Sequence, residues 1–230
     1  MRKEGLKPLI VALDVETDKE ALRLVRLLSP SVAIFKVGPV LFLKYGGPLL
    51  QEINALGAKV FLDLKFHDIP SVVCRAVERA GEWGVYSVTV HVSGGVGMLE
   101  AAVGAKRRPL LWGVTVLTSL DDSDLKTLGM ARGVPEQVNH LAKQADAARL
   151  DGVVASVREA KAIKQAFPRL TVVTPGIRFS SASDDQKRAE TPARALENGA
   201  DFIVVGRPIV EARDPVGAVK SIYQSIGVHL

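Results

Sequence analysis

Short apolar runs alternate along the whole chain with segments whose apolar residues recur at spacings of three and four. The runs are rich in β-branched residues and bounded by polar or turn-forming residues, which is typical of buried strands. They cover residues 8–15, 31–38, 59–66, 86–92, 110–117, 152–156, 170–175 and 201–206.

The segments between these runs predict amphipathic helices. One predicted helix face consists of Ala21, Leu22, Leu24, Val25 and Leu28, and another of Val72, Val73, Ala76, Val77 and Ala80. Two later segments begin with a capping residue followed by proline, Thr191-Pro192 and Asp214-Pro215, which is a common start of a helix.

Regular alternation of strand and helix predicts a parallel sheet, and eight repeats within 230 residues fit a single (β/α)8 TIM barrel spanning residues 1–230. A doubly wound open sheet is the alternative. It is disfavoured because the first run leads into Asp14-Val15-Glu16-Thr17, without the glycine-rich turn of a dinucleotide-binding fold.

Composition narrows the class of protein. Hydrophobic residues make up 47% and charged residues 24%, as in ordinary globular proteins. No apolar run reaches the ~20 residues that span a bilayer, nothing resembles a signal peptide, and the lone Cys74 suits a reducing compartment. We therefore expect a cytoplasmic protein with no membrane partner.

The net charge of +5 favours anionic ligands without identifying one. Basic residues are scattered and aromatic residues account for only 5%, so a nucleic-acid surface with stacking platforms is not indicated.

Polar residues stand at the predicted carboxyl end of every strand, where a barrel of this class places its active site. In chain order they are Asp14, Lys36, Asp63 with Lys65, His91, Thr118, Ser156, Pro175-Gly176 with Arg178, and Gly206-Arg207. Any one of them could cap a helix or support the fold. Eight strands that deliver functional groups to one rim predict an enzyme.

The segment Asp63-Leu64-Lys65-Phe66-His67-Asp68-Ile69-Pro70 closes the third strand. Because side chains alternate along a strand, Asp63 and Lys65 are predicted to share one face, with Asp68 just beyond. A structural ion pair is one interpretation. The other is a general acid, since flanking carboxylates favour the protonated lysine that proton donation needs, whereas a Schiff base needs the neutral amine.

Gly206-Arg207 follows the eighth strand, at a position where barrels commonly bind phosphate. The alternative is a tight turn with a surface arginine. The polar stretch 179–188, with Arg178 and Gln186 near its two ends, is either a surface loop or a lid that orders over a ligand.

His91 has no second His or Cys at ligand spacing, so we expect a supporting role rather than a zinc site.

The chain resembles the orotidine 5′-phosphate decarboxylase family from about residue 8 to residue 220. The motifs that carry the resemblance, in the family's order, are Ala12-Leu13-Asp14, Phe35-Lys36-Val37-Gly38, Asp63-x-Lys65-x-x-Asp68-Ile69-Pro70, Leu117-Thr118-Ser119, Thr174-Pro175-Gly176-Ile177-Arg178, Gln186 and Val205-Gly206-Arg207. A sister group of magnesium-dependent sugar-phosphate decarboxylases and synthases shares Asp-x-Lys-x-x-Asp but lacks the Ile-Pro continuation.

The resemblance implies a role for each matched residue. Lys65 would protonate C6 of the pyrimidine as CO2 leaves. Asp63 would lie beside the departing carboxylate, and Lys36 would hold Asp63 and a ribose hydroxyl. Ribose, base and phosphate contacts fall to Asp14, Thr118, Pro175, Gln186, Gly206 and Arg207, with Arg178 shaping the lid. The resemblance also implies no metal and no cofactor, and a homodimer in which Asp68 and Ile69 enter the neighbouring site.

The leading prediction is thus decarboxylation of orotidine 5′-monophosphate, a nucleotide substrate, in pyrimidine biosynthesis. Two alternatives stay open at this point. One is the magnesium-dependent sister chemistry, and the other is a phosphate-sugar-binding barrel without catalysis.

Overall fold

Eight parallel strands close into one barrel in the computed structural model, which describes residues 6–177 and 190–229. Neighbouring strands pair in chain order, and the last pairs with the first through Ile10 and Val204. The strands are β1 (Leu9–Ala12), β2 (Ile34–Val37), β3 (Lys59–Phe66), β4 (Ser87–His91), β5 (Leu110–Val114), β6 (Gly152–Val154), β7 (Thr171–Thr174) and β8 (Phe202–Val205). The predicted (β/α)8 TIM barrel is confirmed.

Helices surround the barrel and connect successive strands. Within the described residues they are α1 (Asp18–Leu28), α2 (Pro39–Ala55), α3 (Pro70–Glu82), α4 (Val96–Val103), α5 (Asp122–Thr127), α6 (Val134–Ala147), α7 (Val157–Ala166), α8 (Pro192–Glu197), α9 (Arg207–Val210) and α10 (Pro215–Ser225). None of the helices in these two ranges combines the length and the apolar character needed to cross a bilayer.

Each predicted strand is present, but most end earlier than the apolar run that predicted them. The first run continues to Leu13 and Val15, whereas β1 ends at Ala12. Leu13 is still buried, because the chain remains under the helices after it leaves the ladder. An apolar run reports burial rather than strand pairing, so it overestimates strand length.

The predicted helix starts are also present. The Thr191 side chain accepts the Arg194 N–H at 3.3 Å, and Asp214 accepts the Gly217 N–H at 2.9 Å. Both bonds satisfy donors that the first turn of a helix leaves unpaired. The predicted face of α1 is buried along its whole length.

Two apolar layers hold the barrel together. The larger lies between the strands and the helices, and the smaller fills the barrel interior. Interior packing centres on Trp112, whose ring meets Phe61 edge-on at a centroid distance of 4.6 Å. The barrel interior is therefore a packed core, as is usual for this fold.

Carboxylates secure the amino ends of the strands, opposite that mouth. Asp201 pairs with Lys164 at 2.8 Å and accepts the Val172 N–H at 2.8 Å. Asp151 pairs in the same way with Arg108 and also accepts a backbone N–H of β5. This end of the barrel contributes to stability and lies away from the cavity.

Candidate active site

A cavity of about 470 Å³ opens at the carboxyl ends of the strands. Its lining includes these residues predicted from the sequence: Asp14, Lys36, Asp63, Lys65, Thr118, Pro175, Gly206 and Arg207. The floor is apolar, with Phe61 among four valines contributed by β5, β6, β7 and β8. A polar rim over an apolar floor suits a ligand with a flat ring and charged substituents.

Four charged side chains from three adjacent strands form a continuous array across the cavity. The Nζ of Lys36 lies 3.1 Å from Asp14 Oδ1 and 3.8 Å from Asp63 Oδ2. The Nζ of Lys65 lies 2.9 Å from the same Asp63 oxygen. Signs alternate along the array, so each charge has an opposite neighbour that offsets part of its desolvation cost.

The strand that supplies Asp63 and Lys65 is irregular. In the pairing with β4, Leu62 faces Val88 and Phe66 faces Val90, so three residues of β3 oppose the single residue between them. Lys65 lies inside this bulge with a φ of 51°. Left-handed backbone costs a non-glycine residue about 1–2 kcal/mol, and such strain is concentrated at functional sites. Asp63 and Lys65 do share one face, as predicted, but through a bulge rather than regular alternation.

Thr89, the β4 residue opposite the bulge, was missed by sequence reasoning. It is fully buried, its Oγ1 accepts the Lys65 N–H at 2.8 Å, and its hydroxyl donates to Asp63 Oδ1 at 3.0 Å. The available signal was a polar residue alternating with Ser87 inside an otherwise apolar strand. Glu211, which also lines the cavity, was likewise not predicted.

Close backbone approach shapes the rim beside Asp14. A Cβ on Gly206 would lie 3.2 Å from Asp14 Oδ2, and one on Gly38 would lie 3.4 Å from Lys36 Nζ. Both glycines therefore leave space that a side chain would take from the charged groups. The exposed Arg207 follows directly, at the start of α9.

Asp68 and Ile69 do not line this chain's cavity. Asp68 Oδ1 accepts the neighbouring Ile69 N–H at 2.6 Å, and 63% of Ile69 is exposed. Val96, at the start of the adjacent helix α4, is 56% exposed. A Cβ on Gly97 would lie 3.9 Å from the Pro70 ring, so the starts of α3 and α4 form one surface beside the mouth.

His91 and Ser156 stand at strand ends but not in the cavity lining. His91 stacks on His67 at a ring-centroid distance of 5.2 Å. Burial lowers the pKa of His91, and the charges of His67 and Lys65 lower it further. The Ser156 side chain accepts the Arg158 N–H at 3.3 Å and donates to Glu159, so it caps α7.

Two predicted residues, Arg178 and Gln186, lie outside the described residues. The described chain stops at Ile177 and resumes at Glu190, and these two pair through a single parallel bridge. Ile177 lines the cavity. The proposal that the intervening segment covers a ligand stays a prediction.

A further feature concerns metal ligands. Within residues 6–177 and 190–229, no group of three or more His, Cys, Asp or Glu side chains is placed to hold a metal ion. Two of the acids in the cavity lining, Asp14 and Asp63, are instead paired with lysines.

The barrel and its charged mouth define an enzyme of the (β/α)8 class. The orotidine 5′-phosphate decarboxylase / HUMPS family model matches residues 7–222, and the chain belongs to that family. A Dichelobacter nodosus orotidine 5′-phosphate decarboxylase is 47% identical over 95% of this chain and 98% of its own length. One from Pseudomonas putida is 48% identical over 95% and 97%.

Solved structures agree. Orotidine 5′-phosphate decarboxylase from Lactobacillus acidophilus superposes with a TM-score of 0.81 and 34% identity, over 96% of this chain and all of that one. An uncharacterised Geobacillus kaustophilus protein superposes with a TM-score of 0.83 and 33% identity, over 95% and 100%. With relatives of this name over 95% of the chain, the protein is an enzyme of the carboxy-lyase class.

Proposed function

We propose that this enzyme decarboxylates orotidine 5′-monophosphate to uridine 5′-monophosphate in pyrimidine synthesis. The observation that carries the proposal is the Asp14–Lys36–Asp63–Lys65 array at the mouth of the barrel. It combines an ammonium group beside a carboxylate with an apolar floor, and this is what a decarboxylation that ends in protonation needs.

Lys65 is the proposed proton donor. When the bond between C6 and the carboxylate breaks, CO2 leaves and the electron pair stays on C6. The Lys65 ammonium then gives a proton to C6, and water restores the lysine. Its position 2.9 Å from Asp63 supports this role, because the carboxylate orients the ammonium group and the growing carbanion is stabilised by a cation already in place.

Asp63 and Lys36 organise the reacting groups. Asp63 lies beside the departing carboxylate, and Lys36 holds Asp63 while reaching a ribose hydroxyl together with Asp14. Lys36 is well placed for both tasks, since its Nζ lies between the two carboxylates at 3.1 and 3.8 Å. Thr118 and Pro175, on the opposite rim, contact the nucleotide.

The phosphate binds at Gly206 and Arg207. Gly206 lets the backbone approach the ligand, and the Arg207 guanidinium offers a planar fork of donors that matches phosphate oxygens. Gln186 and Arg178, from the segment outside the described residues, would complete this end of the site. Binding energy from the distant phosphate then helps to organise the transition state at C6.

We propose that the reaction needs no metal ion and no cofactor. The charge pattern supports this: Asp14 and Asp63 already face lysine ammonium groups, so a divalent cation between these two carboxylates would meet two like charges at short range. The carbanion that forms at C6 can instead be stabilised by the lysines themselves.

The functional unit is a homodimer in which Asp68 and Ile69 enter the neighbouring site. Their exposure beside the mouth supports it, because Ile69 and Val96 form an apolar surface that a second copy would cover. A two-fold dimer makes such an exchange reciprocal.

The nucleotide substrate and the single thiol, Cys74, suit an enzyme of the cytoplasm.

The test is direct. Purified enzyme is mixed with orotidine 5′-monophosphate in excess EDTA, and loss of the substrate's absorbance is followed while the product is identified by mass. The rate is then compared with that in a second sample, which contains magnesium in place of EDTA. Formation of uridine 5′-monophosphate at the same rate in both samples supports the proposal. Turnover of 3-keto-gulonate 6-phosphate in magnesium, with none of the nucleotide, would replace it with the sister chemistry.

A further inference from the structure

Thr89 occupies a position that the reaction described above does not use. It is fully buried in the middle of β4, between Val88 and Val90, which pack outward against the helices. Its hydroxyl instead faces the bulge of β3 and makes two hydrogen bonds there. Both hydrogen bonds of this buried hydroxyl are therefore made to the proposed catalytic pair, Asp63 and Lys65.

The first bond fixes the backbone of Lys65. The Lys65 N–H donates to Thr89 Oγ1 at 2.8 Å, and Lys65 has a φ of 51°. A non-glycine residue keeps such a conformation only when its surroundings hold it. The backbone conformation sets the direction of the Cα–Cβ bond. By fixing that conformation, this hydrogen bond limits the positions that the Lys65 ammonium group can occupy.

The second bond fixes the rotation of the Asp63 carboxylate. The Thr89 hydroxyl donates to Oδ1 at 3.0 Å, while Oδ2 faces Lys65 Nζ at 2.9 Å and Lys36 Nζ at 3.8 Å. One oxygen is thus held by a neutral donor and the other by the two cations. Without the hydroxyl, the carboxylate could turn and the lysines would lose a fixed partner.

We infer that Thr89 is the positioning residue that holds Lys65 and Asp63 in the geometry for proton delivery. The inference rests on the proposed function for its catalytic consequence, but the positioning itself is independent of the substrate. A hydroxyl suits the role because it can accept from the backbone N–H and donate to the carboxylate at once.

The chain permits a matched comparison at this position. Thr89→Val keeps the shape and removes the hydroxyl, Thr89→Ser keeps the hydroxyl and removes the methyl group, and Thr89→Ala is a second variant without the hydroxyl. The readouts are kcat and KM with orotidine 5′-monophosphate, the dissociation constant for uridine 5′-monophosphate, the melting curve, and hydrogen exchange of the Lys65 amide.

We expect kcat to fall about 10- to 100-fold in Thr89→Val, since small misplacements of catalytic groups have effects of this size. KM and nucleotide affinity should change less than about threefold, because phosphate and ribose contacts lie elsewhere. Thr89→Ser should restore most of kcat, and the Lys65 amide should exchange faster only in the variants without the hydroxyl.

Other outcomes would overturn the inference. One is equal kcat in Thr89→Val and Thr89→Ser. A second is a loss of kcat matched by an equal loss of nucleotide affinity, which indicates a general disturbance of the fold. If the parent does not turn over the nucleotide, the proposed function fails on its own, and amide exchange still decides the positioning: equal exchange in all variants contradicts it. Should Thr89→Val not fold, Thr89→Ala is compared with Thr89→Ser on the same readouts.

Discussion

The ammonium of Lys36 lies 3.8 Å from the Asp63 carboxylate on the neighbouring strand β3. Asp63 therefore has a second cation besides Lys65, and Lys36 has a second carboxylate in Asp14. Because the array is shared in this way, losing either end member, Asp14 or Lys65, leaves its neighbour with an opposite charge nearby. Substitution of either end member should therefore affect the chemistry more than the stability of the fold.

Arg207→Ala tests the phosphate end of the cavity. Loss of a charge-assisted contact costs about 1.5–3 kcal/mol, so affinity for uridine 5′-monophosphate should fall about 10- to 150-fold. Affinity for uridine, which lacks phosphate, should barely change. The two dissociation constants are measured by calorimetry.

Arg213→Ala is the matched control for that experiment, since Arg213 is exposed and does not line the cavity. It should bind both ligands as the parent does. Equal losses for the nucleotide and the nucleoside in Arg207→Ala would mean that Arg207 supports the barrel and does not bind phosphate.

A mixture of Lys65→Ala and Asp68→Ala tests the shared site. Each variant alone should be nearly inactive. After subunit exchange, one site of every heterodimer combines Lys65 and Asp68 from intact chains, so random pairing should restore about a quarter of the parental activity per site. Activity is followed against time of mixing.

Demonstrated exchange without any recovery would contradict the shared site. Asp68 would then serve its own chain's site, or no site. Exchange itself is checked with two differently tagged copies of the parent chain, which should mix without changing activity.

His91 predicts a pH dependence of stability. Burial lowers its pKa below the ordinary value of 6.5, so the folded protein binds a proton there less readily than the unfolded chain. The stabilising contribution is fully present above pH 6.5 and is lost as pH falls through the lowered folded value. His91→Gln should therefore lose less stability than the parent between about pH 7 and pH 5.

Denaturant melts of both proteins across this range provide the measurement. The quantity compared is the change in free energy of unfolding with pH, which removes the constant cost of the substitution. Parallel curves for the parent and His91→Gln would show that another group causes the acid sensitivity.

Lys164→Met tests the amino end of the barrel. It leaves the buried Asp201 side chain, only 11% exposed, without its cation, which should cost about 3 kcal/mol of unfolding free energy. Arg23→Met is the control: it breaks the exposed pair with Glu20 and should lower the free energy of unfolding far less. Equal small losses in urea melts would mean that the Lys164 pair is as weak as a surface pair.

Much of the fold could be predicted because strand and helix periodicities repeat eight times with caps at the expected places. The cavity residues followed from strand order, since carboxyl ends of parallel strands meet at one rim. The bulge in β3 could not be predicted, because it depends on the register between β3 and β4, which no local pattern encodes. Thr89 was visible only as a polar residue in an apolar strand, and its contacts with Lys65 and Asp63 depend on the same register. A polar strand end such as Ser156 cannot be told from a helix cap by sequence alone.

Lys65→Ala gives the most direct test of the account, measured as kcat with orotidine 5′-monophosphate in excess EDTA alongside the melting temperature. Asp63 keeps Lys36 as a cation, so the variant should fold and melt close to the parent. Loss of a general acid should lower kcat by at least about a hundredfold. A kcat comparable with that of the parent in a folded Lys65→Ala protein would contradict the assignment of Lys65 as the proton donor.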